Sequence, residues 1–204
     1  MRRDSIAKIP LHINIFFSII NIMEIYIVRH GTTVWNEKKR TQGRVNNRLS
    51  KNGKEKAKIL AKKLKDICFD YIFSSPLLRS VQTANLINKY HNNKIIKDKR
   101  LTDIDQGIFT GRYFNSLTKE ELVLKKSKAK SCNMETLEEM YFRIKPFFNE
   151  IVEKYKDKTV LIVTHSGVAS FLEKMINYPH YDKNIFNSTD CFKNGQVKFF
   201  EYKK

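Results

Sequence analysis

Three short apolar segments, separated by helical patterns, constrain the fold of this chain most strongly. The apolar runs at residues 24–28, 71–73 and 160–163 are typical of strands that are buried on both faces. Between them, small and apolar residues recur at helical spacing over residues 57–67 and 81–87. This alternation predicts an α/β fold with a mainly parallel central sheet and helices on both faces.

The end of the chain carries a different signal. Asn194-Gly195 is a typical type I′ turn pair, and it lies between two possible strands at residues 189–192 and 196–202. The sequence therefore predicts a hairpin, so that an antiparallel edge pair completes the sheet.

Cationic, imidazole and small hydroxyl side chains follow each predicted strand. Ligands of open α/β sheets bind outside the carboxyl ends of the strands, so these side chains should meet there. Ser75 and Pro76 are predicted to start a helix that holds Arg79 near its N-terminus, and Ser166 is predicted to cap the next helix. Guanidinium groups and helix N-termini both bind tetrahedral oxyanions, which predicts a phosphate site. The residues concerned are Arg29 and His30, then Ser74, Ser75 and Arg79, then Thr164 and His165.

Two histidines beside two arginines favour nucleophilic catalysis at phosphorus. A neutral imidazole can attack and hold a phosphoryl group while arginines neutralise the oxygens of the transition state. A carboxyl group is also needed, because the leaving alkoxide must be protonated and a water molecule later deprotonated. Asp103 and Asp105 are the candidates in the middle of the chain.

Four sequence blocks occur in an order that is typical of one enzyme family. They are RHGTTVWN at residues 29–36, QG at 42–43 followed by LS and a glycine, SSPLLRSVQTA at 74–84, and VTHSG at 163–167. Together they resemble the motifs of the histidine phosphatase superfamily, in its phosphoglycerate-mutase-like branch. The resemblance implies a three-layer sandwich with a small cap that covers the substrate.

The resemblance also implies a metal-independent phosphomonoesterase that works through a phosphohistidine and needs no cofactor. His30 would be the nucleophile, and Asp103 would be the acid where the family has Glu. The shorter side chain withdraws the carboxyl group by about 1.5 Å, so either the backbone compensates or the enzyme is slow on the family's usual substrates. Two further groups are implied, the phosphate-binding residues Arg29, Asn36, Arg79 and His165 and the substrate-binding residues Thr33, Gln42 and Gly43.

The cap segment, between Gly111 and a capping-box pattern at residues 136–139, is short and contains a lysine-rich run at residues 125–130. A short cap resembles the phosphatase members of the family more than the mutases. We therefore expect hydrolysis of a small phosphorylated metabolite, with phosphoglycerate mutase-type phosphoryl transfer as the alternative. The lysines are expected to be a solvated face, the other interpretation being that they steer an anionic substrate.

The charge balance is strongly basic, because 39 Lys and Arg against 21 Asp and Glu give a formal net charge of +18. Phosphorylated small molecules suit this charge, whereas no DNA- or RNA-binding motif supports a nucleic-acid binder. An inactive binding module is a further alternative, which the intact Arg29, His30, Arg79 and His165 oppose. The 3 cysteines at unrelated spacings predict neither a disulfide framework nor a zinc site, consistent with a cytoplasmic protein. Nothing in the sequence indicates an oligomeric state.

Residues 1–22 are predicted to be an extension, or a start-site artefact, that precedes one catalytic domain over residues 23–204. Basic residues followed by an apolar run at residues 11–23 have the order of a secretory signal. However, polar residues interrupt the run, no small-x-small cleavage site follows, and the run is shorter than the ~20 residues of a membrane span. We therefore expect no membrane attachment.

Overall fold

The computed structural model describes residues 22–178, 180–187 and 191–203, and it contains a five-stranded sheet in the order β3-β2-β4-β1-β5. The strands β1 to β4 are parallel, and β5 pairs antiparallel with β1. The predicted extension at residues 1–22 lies outside the described residues, apart from Ile22, which is the first residue of β1. The strands are β1 (Ile22–Arg29), β2 (Tyr71–Ser74), β3 (Ile95–Lys97), β4 (Thr159–Thr164) and β5 (Val197–Lys203).

Seven α-helices surround the sheet in the described part of the chain, together with short 3₁₀ turns. Three of the helices begin with a capping box, including α5, where Thr136 and Glu139 bond each other's backbone as the sequence predicts. The helices are α1 (Val34–Glu37), α2 (Lys51–Lys63), α3 (Leu78–Asn88), α4 (Lys119–Ser127), α5 (Leu137–Lys154), α6 (Ser166–Asn177) and α7 (Lys183–Phe186).

The sheet separates two hydrophobic layers, which confirms the predicted three-layer α/β sandwich. On one face, Leu60 of α2 and Ile87 of α3 pack against Val28 and Leu161 of the sheet. On the other face, α5 and α6 cover the alternate side chains of β1 and β4. Each fully buried Leu, Ile or Val contributes about 1.5–3 kcal/mol, so both faces anchor the central strands β1 and β4.

A small cap, which we define as residues 107–134, packs over the carboxyl end of the sheet around Phe109, Cys132 and Met134. Gly107 allows this packing: its φ is +50°, and a Cβ atom there would lie 1.9 Å from the carbonyl oxygen of Cys132. The cap is therefore fastened directly to the loop that follows Asp103.

The predicted hairpin at Asn194-Gly195 is only partly correct. The turn exists, with Gly195 at a φ of +73° and a 2.9 Å hydrogen bond from the Gln196 amide to the Lys193 carbonyl. However, β5 pairs with β1, and residues 191–193 are not a strand, while residues 188–190 lie outside the described part. The physical reason is that the Phe192 carbonyl accepts hydrogen bonds from two side chains, Arg29 and Ser166, at the position where a strand would bond another strand.

Within the described residues, none of the helices has the length and apolar character that crossing a lipid bilayer requires.

Candidate active site

The parallel register brings the three predicted strand ends together. Arg29 of β1 lies beside Thr164 of β4, and Ser74 of β2 lies beside Val163. Backbone hydrogen bonds continue past the strands, from His30 to the Thr164 carbonyl at 2.9 Å and from Ser75 to the Val163 carbonyl at 3.0 Å. His30, Ser75 and His165 consequently meet at one edge of the sheet.

Both predicted helix caps differ from the structure. Leu77, not Ser75, is the N-cap of α3, so Arg79 is the second residue of the helix. His165 is the N-cap of α6, and Ser166 is its first residue. The serine hydroxyls have other partners: Ser75 Oγ lies 2.8 Å from His165 Nε2, and Ser166 Oγ donates to the Phe192 carbonyl at 3.1 Å.

Arg79 lies at the centre of the site and is completely buried. Its Nη1 donates to the Val45 carbonyl at 2.7 Å and its Nη2 to the Gly43 carbonyl at 2.8 Å. Its Nε proton lies between two imidazole nitrogens, His30 Nε2 at 3.2 Å and His165 Nδ1 at 3.3 Å. These contacts hold the guanidinium plane fixed between the two histidines.

The contacts of His30 define its tautomer. Its Nδ1 lies 2.7 Å from the Gly31 carbonyl, which can only accept, so Nδ1 carries the proton. Burial, followed by the neighbouring His165 and the charges of Arg79 and Arg29, lowers the pKa of His30 well below its ordinary value. The ring is therefore neutral, and its Nε2 carries a lone pair, which is the form that a nucleophilic imidazole requires.

His165 is neutral for similar reasons. Burial and the charges of Arg79 and Arg29 lower the pKa of His165 well below its ordinary value. Its Nδ1 accepts from Arg79, so its Nε2 carries the proton and donates to Ser75 Oγ at 2.8 Å. Its ring centroid lies 5.1 Å from that of His30, so the two rings are in edge contact.

Arg29 has one donor without a partner. Its Nη1 donates to the Phe192 carbonyl at 2.6 Å, whereas its Nε is buried without a hydrogen-bond partner among the described residues. Buried N–H groups of native proteins are nearly always bonded, so this donor is suited to a bound oxyanion.

Thr33, Asn36 and Gln42 form one hydrogen-bonded unit at the start of α1. The Thr33 amide donates to Asn36 Oδ1 at 3.1 Å, and the Thr33 hydroxyl donates to Gln42 Oε1 at 2.9 Å. Asn36 lines the pocket, and its amide nitrogen makes no hydrogen bond within the described part of the chain, whereas its oxygen accepts from Thr33 and Asn194. Gly43, which follows at a φ of +51°, turns its carbonyl toward Arg79.

Asp103 is the carboxylate that lies beside Arg79 and His165. Its Oδ2 lies 3.0 Å from Arg79 Nη2 and 3.5 Å from His165 Nδ1, and its side chain is 18% exposed. Asp105, the other candidate, instead accepts from the Gly107 amide at 2.9 Å and faces Arg44.

A buried ion pair holds the Asp103 loop, and the sequence gives no indication of it. Arg143 of α5 bonds both oxygens of Glu135, at 2.6 and 2.9 Å. Its Nη1 also donates to the carbonyls of Arg100 at 2.6 Å and Thr102 at 2.9 Å, directly before Asp103. The two residues are only eight positions apart, but no periodic pattern links their side chains to a loop elsewhere in the chain.

From the sequence we expected the lysine-rich run to be a solvated face, but the structure shows that part of it faces the pocket. Lys125 and Lys128 are half-buried and line the pocket, whereas Lys130 is exposed. Burial and the charge of Lys128 lower the pKa of Lys125 to about 8, and burial likewise lowers the pKa of Lys128. Which of these lysine side chains point into the pocket depends on how α4 packs, and the spacing of the lysines in the sequence does not reveal this.

A pocket of about 810 Å³ lies between the sheet edge and the cap, and the fully buried Arg79 and His165 lie behind its lining residues. One end contains Arg29, His30, Asn36 and Asp103, and the other end is lined by the apolar side chains of Met140, Phe171 and Phe186, among others. In the described part of the chain, no group of three or more His, Cys, Asp and Glu side chains is arranged to hold a metal ion.

Comparison with known proteins gives a consistent family. The profile of the histidine phosphatase superfamily (branch 1) matches residues 25–203. The chain is 32% identical over 151 residues to phosphoserine phosphatase 1 of Hydrogenobacter thermophilus, covering 71% of this chain and 72% of that protein. It is 27% identical over 177 residues to a probable phosphoglycerate mutase of an Enterobacter species, covering 83% and 82%.

Solved structures share the architecture. A mycobacterial glucosyl-3-phosphoglycerate phosphatase in complex with vanadate superposes with a TM-score of 0.77 at 21% identity, covering 86% of this chain and 91% of that one. A phosphoglycerate mutase of Bacillus anthracis gives 0.73 at 26% identity, covering 89% and 88%. The matched profile, which spans the sheet and the site described above, shows that the chain belongs to branch 1 of the histidine phosphatase superfamily.

Proposed function

We propose that this protein is a metal-independent phosphomonoesterase that hydrolyses a small phosphorylated metabolite through a phosphohistidine on His30. The observation that carries the proposal is the lone pair on His30 Nε2, held in a buried ring beside the Arg79 guanidinium. A neutral nucleophile surrounded by fixed cations is suited to an anionic phosphoryl group.

In the first step, His30 Nε2 attacks phosphorus and the bond to the ester oxygen breaks. The Nε of Arg29, which has no hydrogen-bond partner among the described residues, the guanidinium of Arg79 and the amide of Asn36 bind the phosphoryl oxygens. His165 supports this site by accepting from Arg79 through its Nδ1. Because these groups are held by the backbone or by one another, they require little reorganisation as charge develops.

Asp103 moves the proton in both steps. In its protonated form it donates to the leaving ester oxygen, and the resulting carboxylate then takes a proton from the water that attacks the phosphohistidine. That second attack releases inorganic phosphate and restores both His30 and the protonated Asp103. Gln42 and Gly43 line the pocket and bind the part of the substrate next to the phosphate, and the buried Thr33 supports them through its hydrogen bond to Gln42.

Phosphoglycerate mutase-type transfer is the alternative, and the names of some relatives favour it. A mutase must protect its phosphohistidine from water, which a cap of only residues 107–134 is poorly sized to do. We therefore expect release of phosphate from 3-phosphoglycerate rather than its isomerisation. We further propose that the protein acts in the cytoplasm on free metabolites, without nucleic acid or membrane partners.

The test is trapping of the phosphoenzyme with radiolabelled p-nitrophenyl phosphate, followed by acid and base treatment. The native protein should form an acid-labile, base-stable adduct, and EDTA should leave turnover intact. His30→Ala should abolish both adduct and turnover. The matched control is His91→Ala, because His91 also has a buried ring nitrogen but lies in edge contact with Phe69 outside the pocket. A phosphoenzyme that persists in His30→Ala would contradict the proposal.

A further inference from the structure

Lys125 and Lys128 bring two ammonium groups into the pocket from the C-terminal end of α4. Lys128 is the C-cap residue and has a left-handed backbone with a φ of +53°, and its Nζ donates to the Lys125 carbonyl at 3.3 Å. The Lys125 Nζ donates to Gln106 Oε1 and lies 5.4 Å from the centre of the Phe109 ring. The two side chains thus lie at the junction of the cap and the phosphate end of the pocket.

Neither ammonium group has a carboxylate within salt-bridge distance among the described residues. Other lysines do, since Lys130 of the cap pairs with Glu139, Lys154 of α5 with Glu150 and Lys198 of β5 with Glu173. A half-buried, uncompensated charge is costly, and two adjacent charges of the same sign are more so. An anionic ligand would remove that cost.

The pocket offers no comparable partner for a cation. Asp103 is the single carboxylate among its described lining residues, and it is already bonded to Arg79. Six lining side chains are basic, namely Arg29, Arg40, Lys125, Lys126, Lys128 and Lys174. The electrostatic field therefore favours anions throughout the pocket and opposes a substrate ammonium group.

We propose that Lys125 and Lys128 bind a second anionic group of the substrate, and that the substrate is a phosphate ester with a carboxylate or second phosphate and no cationic group. This proposal rests on the proposed phosphomonoesterase activity. It makes the two lysines specificity-determining residues, and it excludes phosphorylated amino acids as preferred substrates, although one relative is named a phosphoserine phosphatase.

The experiment compares 3-phosphoglycerate with two esters that each differ from it in one group. Glycerol 3-phosphate has a hydroxymethyl group in place of the carboxylate, and phosphoserine has an ammonium group in place of the hydroxyl. We expect kcat/KM for 3-phosphoglycerate to exceed both others by about tenfold or more, as loss of one charge-assisted contact predicts. The double variant Lys125→Met, Lys128→Met should lose about tenfold on 3-phosphoglycerate and change little on glycerol 3-phosphate.

Lys119→Met is the matched control. Lys119 is exposed at the opposite end of α4, so the substitution removes a positive charge without changing the pocket. Its kinetics should equal those of the native protein. Equal kcat/KM values for the three esters, or a preference for phosphoserine, would overturn the inference while leaving the phosphatase function in place. If the native protein turns over none of the esters and forms no phosphoenzyme, the proposed function fails and the inference fails with it.

Discussion

Replacing Arg143 with Met tests whether the buried ion pair below the active site supports the Asp103 loop. The substitution keeps the length of the side chain but removes the contacts of Arg143 to Glu135, Arg100 and Thr102. Glu135 is only 8% exposed, so its carboxylate would remain buried, with Arg44 at 3.2 Å and the Asp105 amide at 3.4 Å as its partners.

The magnitude follows from these contacts. Breaking a buried pair by removing one partner costs about 3–5 kcal/mol, because the remaining charge is left uncompensated. Arg44 compensates part of this charge, but its side chain is 43% exposed, so its contribution is screened by solvent. We therefore expect Arg143→Met to lower the free energy of unfolding by about 3 kcal/mol, a large share of the 5–15 kcal/mol typical of domains.

Urea unfolding measures this loss, and a double-mutant cycle with Glu135→Leu assigns it to the pair. The double variant has no buried charge left at this position, so it should be more stable than Arg143→Met alone. Both variants lose the contacts to the loop, so kcat for an alkyl phosphate should fall more than kcat for p-nitrophenyl phosphate, which needs little help from an acid. A loss below about 1 kcal/mol in Arg143→Met, or equal effects on the two substrates, would refute this reasoning.

Three further predictions concern the proposed acid Asp103, the cap residue Lys125 and the close backbone contact at Gly107. Asp103→Asn should slow turnover of alkyl phosphates by about 100-fold or more and that of p-nitrophenyl phosphate much less, as steady-state kinetics would show; equal losses would exclude it as the acid. Because burial and Lys128 lower the pKa of Lys125 to about 8, its ammonium form is lost above that pH, and KM for 3-phosphoglycerate should rise there. Lys125→Arg should remove this rise, and its persistence in the variant would assign the titration to another group. Gly107→Ala should destabilise the cap by several kcal/mol in urea unfolding, since its Cβ would meet the Cys132 carbonyl at 1.9 Å; a native-like midpoint would show that the cap shifts freely.

The strands and the residues at their ends could be predicted because their pattern is local. An apolar run followed by Arg29 and His30 needs no knowledge of the rest of the chain, and parallel pairing then brings such ends together. The helix caps were predicted wrongly because Ser75 and Ser166 bond His165 and Phe192, which are distant in sequence. Long-range contacts also explain the missing hairpin strand. The Phe192 carbonyl accepts from Arg29 and Ser166, so only β5 forms a strand after the turn, and it pairs with β1.

The direction of the cap side chains could not be predicted, because it depends on packing between segments. Lys125, Lys126, Lys128 and Lys130 are equivalent in sequence, yet Lys130 is solvent-exposed while Lys125 lies over the Phe109 ring. The two lysines have different long-range partners, because the Lys125 ammonium group donates to Gln106 Oε1 whereas that of Lys130 pairs with Glu139. The composition of this segment therefore predicts its positive charge but not which of its lysines face the pocket.

The aspartate at position 103 raised the question of whether the backbone compensates for a side chain shorter than the family's glutamate. Its Oδ2 lies 3.0 Å from Arg79 and 3.5 Å from His165, and its side chain lines the same pocket as His30. Three backbone carbonyls of its loop accept from guanidinium groups, Arg100 and Thr102 from Arg143 and Asp103 itself from Arg44 at 3.2 Å. The loop is therefore held where a short acid suffices, because the arginines that fix its main chain belong to the same ion-pair network as Glu135. The contacts of Arg143 and Arg44 with the backbone of this loop thus act together with the 3.0 Å contact between Asp103 Oδ2 and Arg79 Nη2 to fix the position of the shorter carboxyl group.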